Sequence, residues 1–310
     1  MSLRINLQET IPSNVERIMQ SFLEDCKTSL QNDEPHKAIH QTRKNMKKMR
    51  AFCRLLRDEI GNKNFKKTNT FYRDVARQIS EERDISAMQE TLIMLHDELD
   101  VQLCGQAYTD IKNHFSSRKA AVTRLRINRD RILDKVMDDL KNADKYHQKW
   151  KVKNRGFDVF AKGVEITYTR CQKAMKLAYK KKDTEHFHEW RKRCKYLRYE
   201  VDFLRDIWKE PMSTLESELH QLTDYLGNDH DLAVLKSYIQ GMQYENEEAI
   251  AAIFALIDTK RKEYQKLAKP LGQRILWEAP DQFVSRLASY WKYGLKEFSI
   301  KQEQPPLAVS

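Results

Sequence analysis

Two short segments of the chain carry the same chemistry. Residues 40–50 read HQTRKNMKKMR and residues 188–198 read HEWRKRCKYLR. Each opens on a histidine, places Arg-Lys three and four residues on, a lysine at the seventh and an arginine at the tenth. Projected on a helix with His40 at 0°, Arg43, Lys44, Lys47, Arg50 and Arg54 fall within roughly −80° to +40°, with Lys48 on the rim near +80°. Ala38, Met46, Met49, Phe52, Cys53, Leu56 and Ile60 take the opposite side. The second segment repeats the division. Arg191, Lys192, Lys195, Arg198 and Tyr199 share the face of His188, and Trp190, Cys194, Leu197, Val201, Leu204 and Trp208 oppose it.

Solvated helix faces normally mix signs, because like charges four residues apart repel. Here Arg43–Lys47, Lys44–Lys48, Arg50–Arg54 and Arg191–Lys195 are all like-charged pairs at that spacing. From Pro35 through Arg57 there are eight Lys/Arg and no acid. Rows that accept such repulsion are suited to hold an anion. Arginine offers a fork matching phosphate oxygens and lysine a point charge. His40 and His188 add a neutral donor, or a cation when a phosphate raises their pKa. A row of this kind runs roughly 15–20 Å, too long for one phosphate and suited to a linear polyanion.

Helices must position these rows. Residues 36–210 contain no proline, and the eight glycines form neither a Walker loop nor a GxGxxG. The pattern predicts helices near 13–31, 35–60, 63–81, 84–104, 105–117, 119–146, 155–181, 184–209, 212–226, 229–241, 245–268 and 280–298. All seven prolines fall at apparent segment edges, and Ser13 is a candidate N-cap. The polar stretch 147–156 reads as a linker and residues 301–310 as a disordered tail. With 310 residues and 36.9 kDa the chain can bury a large core. Its charge is +11 and its pI about 9.2. The longest apolar run, Ala249–Ile257, is nine residues, short of the ~20 that span a bilayer. The N-terminus has no signal-peptide pattern. Five cysteines without CxxC spacing argue against a disulfide framework and for a reducing compartment. The expected protein is cytoplasmic, with no membrane partner.

Landmarks downstream match as well. Asp84, in EERDISAM, follows His40 by 44 residues, and Asp231, in NDHDLAVL, follows His188 by 43. The spacing indicates an internal duplication with a period of about 147 residues. The fold class is therefore all-α, in two pseudo-symmetric halves of about 10–146 and 155–300. Both aspartates read as turn residues, either N-caps or salt-bridge partners that orient the basic rows.

The HxxRKxxKxxR helices, each followed by an Asp-containing segment (ISEERDISAM, LGNDHDLAVL), and the lead-in TYTRCQKAMKLAYKK together resemble the conserved histidine α-helical domain (CHAD) family. The resemblance implies one domain over 1–310, built of two four-helix-bundle-like halves whose basic faces meet in a central groove or pore that binds inorganic polyphosphate. Carried onto this sequence, the binding set is His40, Arg43, Lys44, Lys47, Arg50, Arg54, His188, Arg191, Lys192, Lys195 and Arg198, with Lys48 a rim addition. Lys47 and Lys48 stand where the family often shows arginine, and His230-Asp231 where Asn-Asp is commoner. The resemblance also suggests association with polyphosphate granules.

Tyr199 joins the set as the one aromatic on a basic face. Arg170 and Lys173 join as secondary members because they project opposite the apolar Phe157/Val164/Tyr168/Met175 stripe. For these two, and for Arg118, Arg124, Arg126 and Arg129, a solvated surface is the plainer reading.

Cleavage of phosphate chains would need metal-binding carboxylates or a nucleophile, and the rows hold neither, so no catalytic residue, metal or cofactor is assigned. In HFHE, His186 and His188 diverge by roughly 200° on a helix. The competing partner is nucleic acid, bound without sequence preference through the same rows. Against it stand the lack of a helix-turn-helix signature and of aromatics interleaved with the basic residues. A scaffold for acidic proteins is a third possibility. The oligomeric state is not legible.

Overall fold

The computed structural model describes residues 3–153 and 155–303. Those residues form eleven α-helices and no strand, so the chain is all-α. The helices are α1 (Ile11–Asn32), α2 (Pro35–Leu55), α3 (Arg57–Gln78), α4 (Ser80–Leu95), α5 (Val101–Val122), α6 (Ile132–Lys141), α7 (Asp158–Lys181), α8 (Thr184–Phe203), α9 (Lys209–Gln240), α10 (Glu247–Ile275) and α11 (Pro280–Glu303).

The two basic segments lie on α2 and α8, which pack against each other. Helices α1 and α3 flank α2, and α7 and α9 flank α8. The apolar faces read from the sequence are the ones that turn inward: Met46, Met49, Phe52 and Cys53 on α2 and Trp190, Cys194, Leu197 and Val201 on α8 are buried. Phe203 closes the junction, meeting Phe52 edge-on at 5.0 Å and Phe22 at 6.0 Å between ring centroids. Gly163 on α7 makes the close packing possible. A Cβ there would stand 2.2 Å from the Leu55 carbonyl oxygen at the end of α2.

Two apolar cores result. The larger takes residues from both halves of the chain, including Phe22, Phe52, Tyr72, Phe160, Tyr168, Trp190 and Phe283. The smaller joins Ile85, Leu92, Ile111 and Phe115 of α4 and α5 to Leu232, Leu235, Ile253 and Ile257 of α9 and α10.

Several boundaries differ from the sequence reading. Thr10, not Ser13, caps α1, its hydroxyl accepting from the Ser13 amide at 3.3 Å. Gly61 (φ 78°) makes the expected reversal near residues 60–63. The segments 212–226 and 229–241 are one helix, because the buried stripe Leu219, Leu222, Leu226, Leu232 and Leu235 stays in phase through Gly227. The segments 84–104, 105–117 and 119–146 regroup: α4 ends at Leu95, α5 runs on into a π-helical turn at Thr123–Arg129, and the break comes at left-handed Arg131. Pro270 is interior to α10, so not every proline marks an edge. Helix α11 continues through Glu303, where a tail was expected; residues 304–310 lie outside the described residues.

Candidate functional site

Proline and carboxylate chemistry starts both central helices. Pro35 is the first residue of α2, and Glu34 accepts from the His36 and Lys37 amides. Asp183 caps α8, accepting from the His186 amide at 2.8 Å.

Helices α2 and α8 pack together, and Lys47 and Lys195 lie within electrostatic reach across that contact. Burial pushes the Lys47 ammonium down to about 8, and the positive charges of Arg43 and Arg191 push the same way. Lys195 falls to about 7, through burial and then Arg191 and Lys47. Among the described residues neither lysine makes an ion pair; Asp84 and Asp231 act on them only at longer range. A cluster of four cations therefore gathers at the helix contact, two from each helix.

The outer two are tethered. Arg43 meets Asp84 at 3.4 Å, and Arg191 meets Asp231 at 3.8 Å. Asp84 and Asp231 are thus ion-pair partners on α4 and mid-α9, and the N-cap and turn readings do not hold. Arg43 is held further: its guanidinium donates to the carbonyls of Ala76 and Ile79, at 3.1 and 3.3 Å, where α3 ends. These orphan carbonyls need a donor. Part of the Arg43 fork is therefore structural.

Farther along, Arg50 and Arg54 both donate to the Asn69 side-chain oxygen, at 3.1 and 2.7 Å. Arg54 also stacks 4.1 Å over the Tyr196 ring. Arg198 pairs with Glu216 at 2.9 Å. Lys48 sits 5.9 Å over Tyr199 and 3.7 Å from Asp202. Tyr199 is 8% exposed, so it supports Lys48 from below and gives no stacking platform. Lys44 and His40 are exposed, and Lys192 pairs with Glu189 at 2.7 Å.

Arg170 and Lys173 are placed apart from the lysine contact. They line a cleft of about 510 Å³ with Arg57, Asn62 and Thr169. Arg170 also borders a small pocket with Arg54, Arg193 and Tyr196. Arg118 pairs with Glu81 and Arg129 with Asp130, which fits the surface reading for those two; Arg126 departs from it, because it is half-buried and bonds the buried Glu82.

Sequence reasoning missed a supporting layer. Burial and then the positive charge of Arg83 lower the basicity of His40. His230 stands beside His188, Nδ1 to Nδ1 at 3.1 Å. Buried Glu82 accepts from Arg126 at 2.7 Å, and buried Asp229 from Arg261 at 3.0 Å. The π-helical turn of Thr123–Arg129 carries Arg126 to that pair. The only signal was the run of charged residues beside each aspartate. In HFHE, His186 bonds its own cap, Asp183, at 2.7 Å. Among the described residues no group of three or more His, Cys, Asp or Glu is arranged to hold a metal.

A family model described as CHAD domain matches residues 17–240. The chain belongs to the CHAD domain family. The matched span contains both basic rows, both aspartates and the whole of α9 to Gln240. Polyphosphate binding is consistent with CHAD membership. Helix α10 lies outside the match, yet its Arg261 is what secures Asp229 in this CHAD chain. No curated protein matches the chain. Among the described residues no helix is long and apolar enough to cross a membrane.

Proposed function

We propose that this CHAD protein binds inorganic polyphosphate, without cleaving it, in a groove between the basic faces of α2 and α8. The observation that supports this reading is the cluster of Arg43, Lys47, Arg191 and Lys195 near the α2–α8 contact, in which, among the described residues, neither lysine has an ion-pair partner. Two half-buried ammonium groups pushed together cost free energy in the empty protein. A phosphate oxygen between them relieves that cost. Arg43 and Arg191, fixed by Asp84 and Asp231, bracket the spot, and His40, Lys44, His188 and Lys192 extend it outward. Lys48, Arg50, Arg54 and Arg198 continue the rows on the far side of the contact.

The matching ion pairs Arg43–Asp84 and Arg191–Asp231 support an internal duplication, with halves at about 10–146 and 155–300 forming one domain. Arg170 and Lys173 are outlying members, reached by a long chain passing Arg54. A cytoplasmic location, with association to polyphosphate granules, follows from this reading.

Nucleic acid is the second reading, since a duplex or single strand offers the same phosphates. The buried Tyr199, which leaves no ring for a base to stack on, favours the thinner polymer. Competition decides: long-chain polyphosphate should displace bound DNA or RNA at equal phosphate concentration. Equal or reversed potency would favour the nucleic-acid reading.

A further inference from the structure

The two row histidines have different partners. The basicity of His40 is lowered by burial and then by Arg83, with Lys44 and Lys47 pushing the same way and Glu90, the ion-pair partner of Arg83, opposing them. His188 faces the ring of His230, Nδ1 to Nδ1 at 3.1 Å with centroids 4.1 Å apart. Two ring nitrogens at that distance cannot both present lone pairs, so one carries the proton and donates it.

The surroundings choose which. Around His230 stand Arg191 and Lys195 of α8 and Arg261 of α10, and burial with these cations drives it down to about 3. His230 therefore stays neutral. Around His188 stand Arg191, Lys192 and Glu189 of α8 and Asp231 of α9; burial and the two cations lower it, and the two acids oppose them. A proton added to this pair goes to His188. An imidazolium has a hydrogen on both nitrogens, so charged His188 must donate Nδ1–H to the Nδ1 lone pair of His230.

We propose that His230 is a positioning residue: by accepting Nδ1–H of His188 it fixes that ring's tautomer and lets Nε2 take up a proton when a phosphate oxygen arrives. This rests on the polyphosphate reading for its ligand, but not for its geometry. It also makes the two ends of the groove unequal. The His188 ring has a neutral acceptor ring behind it, whereas His40 lies in the opposed fields of Arg83 and of Glu90, the ion-pair partner of Arg83.

The decisive experiment is ¹⁵N NMR of the ring nitrogens in the free full-length protein, followed by calorimetry with long-chain polyphosphate near pH 6 in buffers of different ionisation enthalpy. In wild type, His188 should hold one tautomer, protonated at Nδ1. His230→Leu should give a mixture, and His230→Asn, whose carbonyl accepts the same hydrogen, should restore it. Binding should take up about one proton in wild type and His230→Asn, and clearly less in His188→Gln and His230→Leu. An unchanged His188 tautomer in a folded His230→Leu protein, with proton uptake intact, would overturn the proposal. A wild type that binds no polyphosphate would sink the functional reading, and the tautomer measurement would still decide the role of His230.

Discussion

Lys47 on α2 stands near enough to Lys195 on α8 to join burial and Arg191 in lowering that lysine's hold on its proton. Helix packing forces them together, since the opposite faces of both helices carry Phe52, Trp190 and Leu197 into the core. Among the described residues neither lysine has an ion-pair partner, and Asp84 and Asp231 oppose the repulsion only at longer range.

That repulsion has a stability signature. Both lysines bind a proton less tightly folded, at about 8 and 7, than at the ordinary value of 10.5. From about pH 7 upward the unfolded chain holds more protons than the native one, so stability rises with pH. The midpoint of thermal unfolding of the free protein should climb between about pH 7 and pH 9. Lys47→Met and Lys195→Met should each raise it at neutral pH by a few degrees, on the order of 1 kcal/mol, and flatten the climb. A midpoint that falls over that interval would count against this picture.

Arg43 and Arg191 should separate under mutation. Arg43 donates to the Ala76 and Ile79 carbonyls as well as pairing with Asp84. Arg43→Ala should therefore cost about 1–3 kcal/mol in urea unfolding. Arg191 makes the weaker 3.8 Å pair with Asp231, so Arg191→Ala should weaken anion binding more than it lowers stability. Equal losses of stability would contradict the assignment.

Gly163 is a packing test independent of ligand. Its Cβ would collide with the Leu55 carbonyl, so Gly163→Ala should destabilise by about 1–3 kcal/mol or more by prising α7 from α2. A neutral effect on the urea midpoint would show that the helices are not in such close contact.

The helical class, the two rows and their inward apolar faces were legible because period-3.6 patterning and the absence of proline are local properties. The break near Arg131 and the continuity of α9 through Gly227 were not, because the break has no glycine or proline and the glycine is carried by a continuous leucine stripe. Asp84 and Asp231 were visible as landmarks, but their roles needed the fold, since each meets an arginine about forty residues away. Arg83, His230 and the Glu82–Arg126 and Asp229–Arg261 pairs support the rows from other helices, and spacing along one helix does not report them.

Salt should report the polyanion directly. If about six phosphates are neutralised, log Kd against log salt should have a slope of magnitude near 4. A salt-independent Kd would exclude the rows as the contact.

The most direct test of the central claim is the affinity of the Lys47→Gln/Lys195→Gln double variant for long-chain polyphosphate, measured beside its thermal unfolding. Removing two of about six contacts should raise Kd by at least about tenfold at moderate salt, with the fold as stable as wild type or more so. An unchanged Kd in a folded double variant would contradict the claim that the phosphate chain lies between these two lysines.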